Sequence, residues 1–225
     1  MEGVAALTRS GLPTNLDFFV APDFLSLHHA RLALAGTAVS LAAQDLFWED
    51  KGSFTGEVSA PLLAEAGCSL VEIGHAERRR LFGETDDVIA RKVAAAVRSE
   101  LVPILCVGEP ERMSSSTAIE YCANQLERAT SSIEADASLI VAYEPVWAIG
   151  AAEPASPEFI VAVAEGLNQW IAPRSDTRLM YGGSAGPGLF SDLSKAVDGL
   201  FLGRFAHNLS SLGAVLREAA ESLTS

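Results

Sequence analysis

The 225-residue chain alternates between two hydrophobic patterns. Short, nearly continuous apolar runs occur in "LDFFVAP" (16–22), "TAVSLAAQD" (37–45), "CSLVEIGH" (68–75), "VPILCVGE" (102–109), "SLIVAYEP" (138–145), "TRLMYGGS" (177–184) and "DGLFLGR" (198–204). Runs of this length, bounded by Gly, Pro or acidic residues, predict strands covered on both faces. Between them lie segments with apolar residues three and four apart, which predict helices. These are "FLSLHHARLALAG" (24–36), "SAPLLAEAG" (59–67), "TDDVIARKVAAAVRSE" (85–100), "STAIEYCANQLERATSSI" (116–133), "SPEFIVAVAEGLNQWIA" (156–172) and a last one from about Leu209. Their starts carry the expected signals: Ser59 before Pro61, Thr85 or Asp86, and Ser156 before Pro157. Gly36 and Gly67 stand where the first two helices stop.

Strand–helix repetition predicts a parallel sheet with right-handed crossovers. No Gly/Ser-rich linker interrupts it, so residues 1–225 are read as one domain. A doubly wound sheet and a barrel both satisfy the pattern. The polar residues favour the barrel. Gln44, His75, Glu109, Glu144 and the Gly182–Ser184 turn all lie at C-terminal strand ends, spread over many strands. A doubly wound sheet would concentrate them at one switch point. A barrel brings every C-terminal end to one mouth, where active sites lie.

Composition narrows the partners. With 16 basic and 29 acidic residues the net charge is −13, which argues against nucleic acid and anionic membranes. No apolar run approaches the ~18 residues of a membrane span. Cys68, Cys106 and Cys122 are odd in number and lack ligand-type spacing, which suits a cytoplasmic location. A small anionic ligand remains compatible, because helix N-termini supply local positive potential.

The candidate chemistry sits at the strand ends. Glu144 closes an apolar strand beside an apolar loop, where desolvation raises carboxylate basicity, so it is the candidate base. His75 precedes a helix start, where the dipole disfavours the imidazolium. A neutral imidazole there can donate to a carbonyl oxygen becoming an enolate. Glu77 and Glu109 are expected to pair with Arg78 or Arg79. Pro145, Val146, Trp147, Ala148, Ile149 and Gly150 open a loop with an apolar body and a second hinge in "PASP", the make-up of a water-excluding lid. "YGGS" and "LGR" each follow a strand and precede a helix. Glycines there let backbone N–H groups approach a phosphate.

The motifs "EIGHAERRRLFGETDDVIARKV", "PILCVGE", "VAYEPVWAIG", "YGGS" and "DGLFLGR", with "AQD" and "GSFTGE", closely resemble triosephosphate isomerase, in order and along essentially the whole chain. The resemblance implies a (β/α)8-type barrel that interconverts dihydroxyacetone phosphate and glyceraldehyde 3-phosphate through an enediolate, without cofactor or metal. It implies that Glu144 is the base and His75 the electrophile, and that Gly150, Ser184 and Gly203 offer N–H groups to the phosphate. It also implies a homo-oligomer, expected to be a dimer, with Thr55 near the tip of a loop that reaches a partner subunit.

Three departures qualify the resemblance. The family's first strand ends in Asn-x-Lys-Met-Asn, and nothing here matches it. "MEGVAALTRSGLPTN" resembles only the end of the first helix and the turn after it, so seven strands are expected and the activity is expected to be impaired. None of Lys51, Lys92 and Lys195 is placed to replace the motif's lysine. Ala76 stands where the family usually has Ser. Arg204 stands where it usually has a second Gly, and there the chain is similar to tetrulose-phosphate isomerases. A four-carbon ketose phosphate and a catalytically inactive phosphate-binding scaffold are therefore the alternatives, with Arg204 grouped among the phosphate residues.

Overall fold

The structure, a computed structural model, describes residues 1–9, 16–151 and 155–222. Seven strands pair in chain order, all parallel: β1 (Phe18–Val20), β2 (Val39–Ala43), β3 (Leu70–Ile73), β4 (Val102–Val107), β5 (Leu139–Tyr143), β6 (Thr177–Tyr181) and β7 (Gly199–Leu200). The helices of the crossovers are α2 (Leu27–Leu34), α3 (Ala60–Glu65), α4 (Ala76–Phe82), α5 (Asp86–Arg98), α6 (Ser115–Ala129), α7 (Pro157–Ile171) and α8 (Phe190–Leu193). Preceding β1 is α1 (Glu2–Arg9), and α9 (Leu209–Ser222) follows β7. Among the described residues, this is a curled α/β sheet of the (β/α)8-barrel type without its first strand.

Local chemistry starts the helices as expected. The side chains of Thr85 and Ser156 accept from the backbone N–H of Val88 and Phe159, each satisfying a donor that the first helical turn leaves open. Ser59 occupies the cap position of α3 but makes no capping bond. Gly36 and Gly67 take positive φ (75° and 95°) just past their helices. Three details differ from the sequence expectation. The run 198–204 yields a strand of only two residues. The short α8 had no legible signal. Lys195, which the coarse sequence map puts in a helix, follows α8.

Alternation along the strands divides the core in two. One set of side chains, including Val71, Ile73, Leu105 and Val141, packs with the helices. The other, Ala42, Leu70, Ile104, Cys106 and Ala142 with Phe19 and Phe201, fills the concave face. β1 and β7 are the two edges, since no pairing joins them among the described residues. The seam is instead crossed by side chains. The Phe19 and Phe201 rings lie 6.0 Å apart, and Arg178 on β6 donates to Asp17 at 2.6 Å. A cavity of about 1540 Å³ runs from the C-terminal mouth past Leu70, Ile140 and Met180. It continues through the seam to Val4 of α1 and to Leu212 and Val215 of α9.

Candidate active site

Glu144 follows β5 directly, and its N–H still donates to Val107 of β4 at 2.8 Å, so the ladder holds its backbone. The residue is 6% exposed, and its Oε2 has no hydrogen-bond partner. Two glycines make room for it. A Cβ at Gly108 would overlap the Glu144 carbonyl, and one at Gly182 would overlap its Cγ and Oε1. Burial pushes the Glu144 carboxyl up to about 7, so it is a stronger base than a solvated glutamate.

His75 caps α4. Its Nδ1 accepts the Glu77 N–H at 3.3 Å, which satisfies one open donor of the first turn. That bond leaves the ring proton of a neutral imidazole on Nε2. Burial lowers the His75 pKa, so the ring is neutral near pH 7 and its approaches to carboxylates are not ion pairs. Nε2 lies 3.6 Å from Glu144 Oε2 and 4.0 Å from Glu72 Oε1. The structure thus brings the two expected chemical residues together, with Nε2 of one 3.6 Å from the free oxygen of the other.

Glu72 was not anticipated. It lies on the concave face of β3, buried, with its carboxyl pushed up to about 8, mainly by burial and then by the nearby Glu144. The available signal was an acid inside the apolar run "LVEI", out of phase with the helix-facing Val71 and Ile73.

The expected partners of Arg78 and Arg79 need correction. Arg78 pairs with Asp45 and Glu84 (2.8 and 2.6 Å), and Lys92 pairs with the same two acids (both 2.6 Å) in a buried network behind α4. Arg79 pairs with Asp86 at 2.8 Å. Glu77 approaches His75 instead. Glu109 is fully buried and bound by neutral donors. Trp147 Nε1 donates to it at 2.7 Å, and Tyr143 Oη at 3.2–3.3 Å. The indole of a solvent-side loop reaches this carboxylate more readily than a guanidinium engaged elsewhere.

The Pro145–Gly150 loop therefore has a fixed base. Val146–Ala148 form a single 3-10 turn, Ala148 is buried, and Val146 N–H donates to the Glu109 carbonyl. Ile149 is exposed, and Gly150 takes φ +68°. Ser184 Oγ donates to the Ala148 carbonyl at 2.8 Å, tying the "YGGS" turn to the loop. An Arg204 guanidinium nitrogen lies 3.0 Å from where a Cβ on Gly150 would sit. Gly203 precedes the 3-10 turn Arg204–His207. Of the expected second hinge "PASP" (154–157), Pro154 lies outside the described residues with Ala152 and Glu153, Ala155 is buried, and Ser156 and Pro157 start α7. Thr55 is exposed in the wholly exposed loop 50–57, away from the cavity lining. Among the described residues, no group of three or more His, Cys, Asp or Glu is arranged to hold a metal ion, and no helix is long and apolar enough to cross a membrane.

A buried carboxyl beside a neutral imidazole, at the C-terminal mouth of a parallel barrel sheet, is an arrangement that fits the class of α/β isomerases. The triosephosphate isomerase family model matches residues 2–219, and the chain belongs to that family of isomerases. It is 50% identical over 207 residues to an L-erythrulose-1-phosphate isomerase of Pectobacterium atrosepticum, covering 89% of this chain and 80% of that protein. It is 40% identical over 215 residues to a triosephosphate isomerase of Citrifermentans bemidjiense (90% and 85% covered). It is 39% identical over 200 residues to one of Aquifex aeolicus (85% and 81%).

Proposed function

We propose that the chain isomerises a short phosphorylated ketose through an enediolate. Glu144 removes the proton from the carbon next to the carbonyl and returns it to the former carbonyl carbon. His75 Nε2–H donates to the carbonyl oxygen as negative charge builds there, and the hydroxyl proton of the neighbouring carbon passes to that oxygen as the new carbonyl forms. Electrons and protons stay within the substrate and these two side chains, so the step as written calls on no cofactor. The observation that carries the reading is the 3.6 Å approach of the unpartnered Glu144 Oε2 to His75 Nε2, with His75 Nδ1 already occupied. The backbone N–H groups of Gly150, Ser184 and Gly203, with the Arg204 guanidinium, are the proposed phosphate seat. The apolar turn from Pro145 to Gly150 is the proposed lid.

Dihydroxyacetone phosphate is the substrate implied by the sequence resemblance. A four-carbon ketose phosphate is supported by the 50% identical relative and by Arg204 reaching Gly150. Slow turnover is expected. Among the described residues, Lys92 is engaged by Asp45 and Glu84, and Lys51 and Lys195 are exposed, so no ammonium faces the two buried carboxylates. A homodimer through loop 50–57 completes the proposal. The test is an isomerase assay with dihydroxyacetone phosphate and L-erythrulose 1-phosphate side by side. Binding of inorganic phosphate without turnover of either would favour an inactive scaffold, and neither binding nor turnover would overturn the reading.

A further inference from the structure

The proposed reaction leaves one buried group at the mouth without work. Glu72 lines the same cavity as Glu144 and His75, on the β3 side, with Gln44 of the neighbouring β2 end also on the wall. Among the described residues, its hydrogen-bond contact is the weak Cys106 thiol, which donates to Oε1 at 3.9 Å. Because its carboxyl is held protonated near pH 7, it can both donate and accept a hydrogen bond.

The order of groups across the mouth sets which part of a ligand reaches it. The proposed phosphate seat belongs to the lid and to the ends of β6 and β7. Glu144 ends β5, and His75 follows β3. Glu72 Oε1 lies 4.0 Å from His75 Nε2, on the side opposite the phosphate seat in strand order. A ligand with its phosphate on that seat and its reacting carbons between Glu144 and His75 points its far end toward Glu72. In dihydroxyacetone phosphate the far carbon is the last one. In L-erythrulose 1-phosphate it carries a further hydroxymethyl group.

We infer that Glu72 is a specificity-determining residue that hydrogen-bonds the terminal hydroxyl of a four-carbon ketose phosphate. The inference rests on the isomerase reading above and deepens it. A site built to hydrogen-bond a hydroxyl discriminates strongly against an analogue lacking it, because the buried polar group is then left unpaired. An apolar residue at this place removes both the attraction and that penalty.

The experiment compares the full chain with Glu72→Gln and Glu72→Leu. It measures kcat/KM and the dissociation constant for L-erythrulose 1-phosphate and for dihydroxyacetone phosphate. For Glu72→Leu, the ratio of tetrulose to triose kcat/KM is expected to fall by at least about tenfold, with a parallel fall in the affinity ratio. Glu72→Gln keeps a donor and an acceptor in the same volume and is expected to retain most of the ratio. If the leucine variant does not fold, Glu72→Ala, which also lacks donor and acceptor, serves as the readout: a fall in the tetrulose-to-triose affinity ratio supports hydroxyl recognition, and a proportional loss for both ligands opposes it. Equal losses for the two substrates in Glu72→Leu would mean that Glu72 acts through His75, and would overturn the proposal. So would an unaltered ratio. A parent chain that neither binds nor turns over either compound fails the isomerase reading itself, which the parent measurements alone reveal.

Discussion

In the proposed reaction Glu144 and His75 divide the work because their environments push them in opposite directions. Burial raises the carboxyl and lowers the imidazole, so near neutral pH one is a usable base and the other an uncharged donor. A general base contributes about 10²–10⁴-fold. Glu144→Gln is therefore expected to lower kcat by that amount while phosphate-analogue affinity changes little, and parent-like turnover in the variant would remove Glu144 from the mechanism. His75→Gln should also lower kcat, through weaker stabilisation of the enediolate. The pH dependence follows in sign. Glu144 must be ionised to accept a proton, so kcat/KM should rise with pH up to about 7 and level off above it. The neutral His75 should add no second rise in that range. A limb centred near the ordinary carboxylate value would show that the site is wetter than the structure implies. Burial of this kind is not written in a motif: "YEPVW" shows an acid at a strand end, and only the packing of Gly108 and Gly182 against it shows how dry it is.

At the level of elements, the loop after β5 is held from below and capped from the side. Glu109 receives Trp147 Nε1 and Tyr143 Oη in a fully buried position, and Ser184 holds the Ala148 carbonyl. Trp147→Phe would leave the Glu109 carboxylate short of its closest donor. A buried acceptor that loses a partner costs about 1–3 kcal/mol. Chemical denaturation should show a loss of that size, together with a lower kcat as the loop base loosens. Stability within a few tenths of a kcal/mol of the parent would mean that Tyr143 and the Cys122 thiol suffice. The sequence indicated the lid's apolar body and its Pro start, but it misassigned Glu109 to an arginine. Charge pairing is the default guess for an acid near "ERRR". Which donors reach a buried carboxylate depends on the side-chain directions of three separate elements.

For the whole molecule, the seam between β1 and β7 dominates. Among the described residues, two strand edges face a cavity bridged by side chains such as Phe19, Phe201, Asp17 and Arg178. Exposed edges invite pairing with another chain. Unsatisfied backbone groups at about 1–3 kcal/mol each would weigh heavily against a typical stability of about 5–15 kcal/mol. Sedimentation at micromolar concentration is therefore expected to show a homo-oligomer. Phe54, 42% exposed at the loop 50–57 and packed at a tilt against Phe47, is the test position. Phe54→Glu should weaken association by at least tenfold, because it places a charge in the proposed contact. A stable monomeric parent would defeat the proposal.

The alternation of seven apolar runs with helical periods was enough to determine a parallel α/β sheet, and the spread of polar residues over many C-terminal strand ends pointed to a barrel. Both periodicities are local, and the direction of crossovers leaves few topologies. The positions of Glu144 and His75 at C-terminal strand ends were equally legible, since a barrel brings those ends together wherever they lie in the chain. Tertiary structure alone decided that Glu144 Oε2 is left unpartnered and 3.6 Å from His75. It alone decided that Glu72 joins them from the concave face, that Lys92 is spent in a buried network, and that Arg204 folds onto Gly150. These outcomes depend on burial and on contacts between residues far apart in sequence, which no periodicity or short motif encodes.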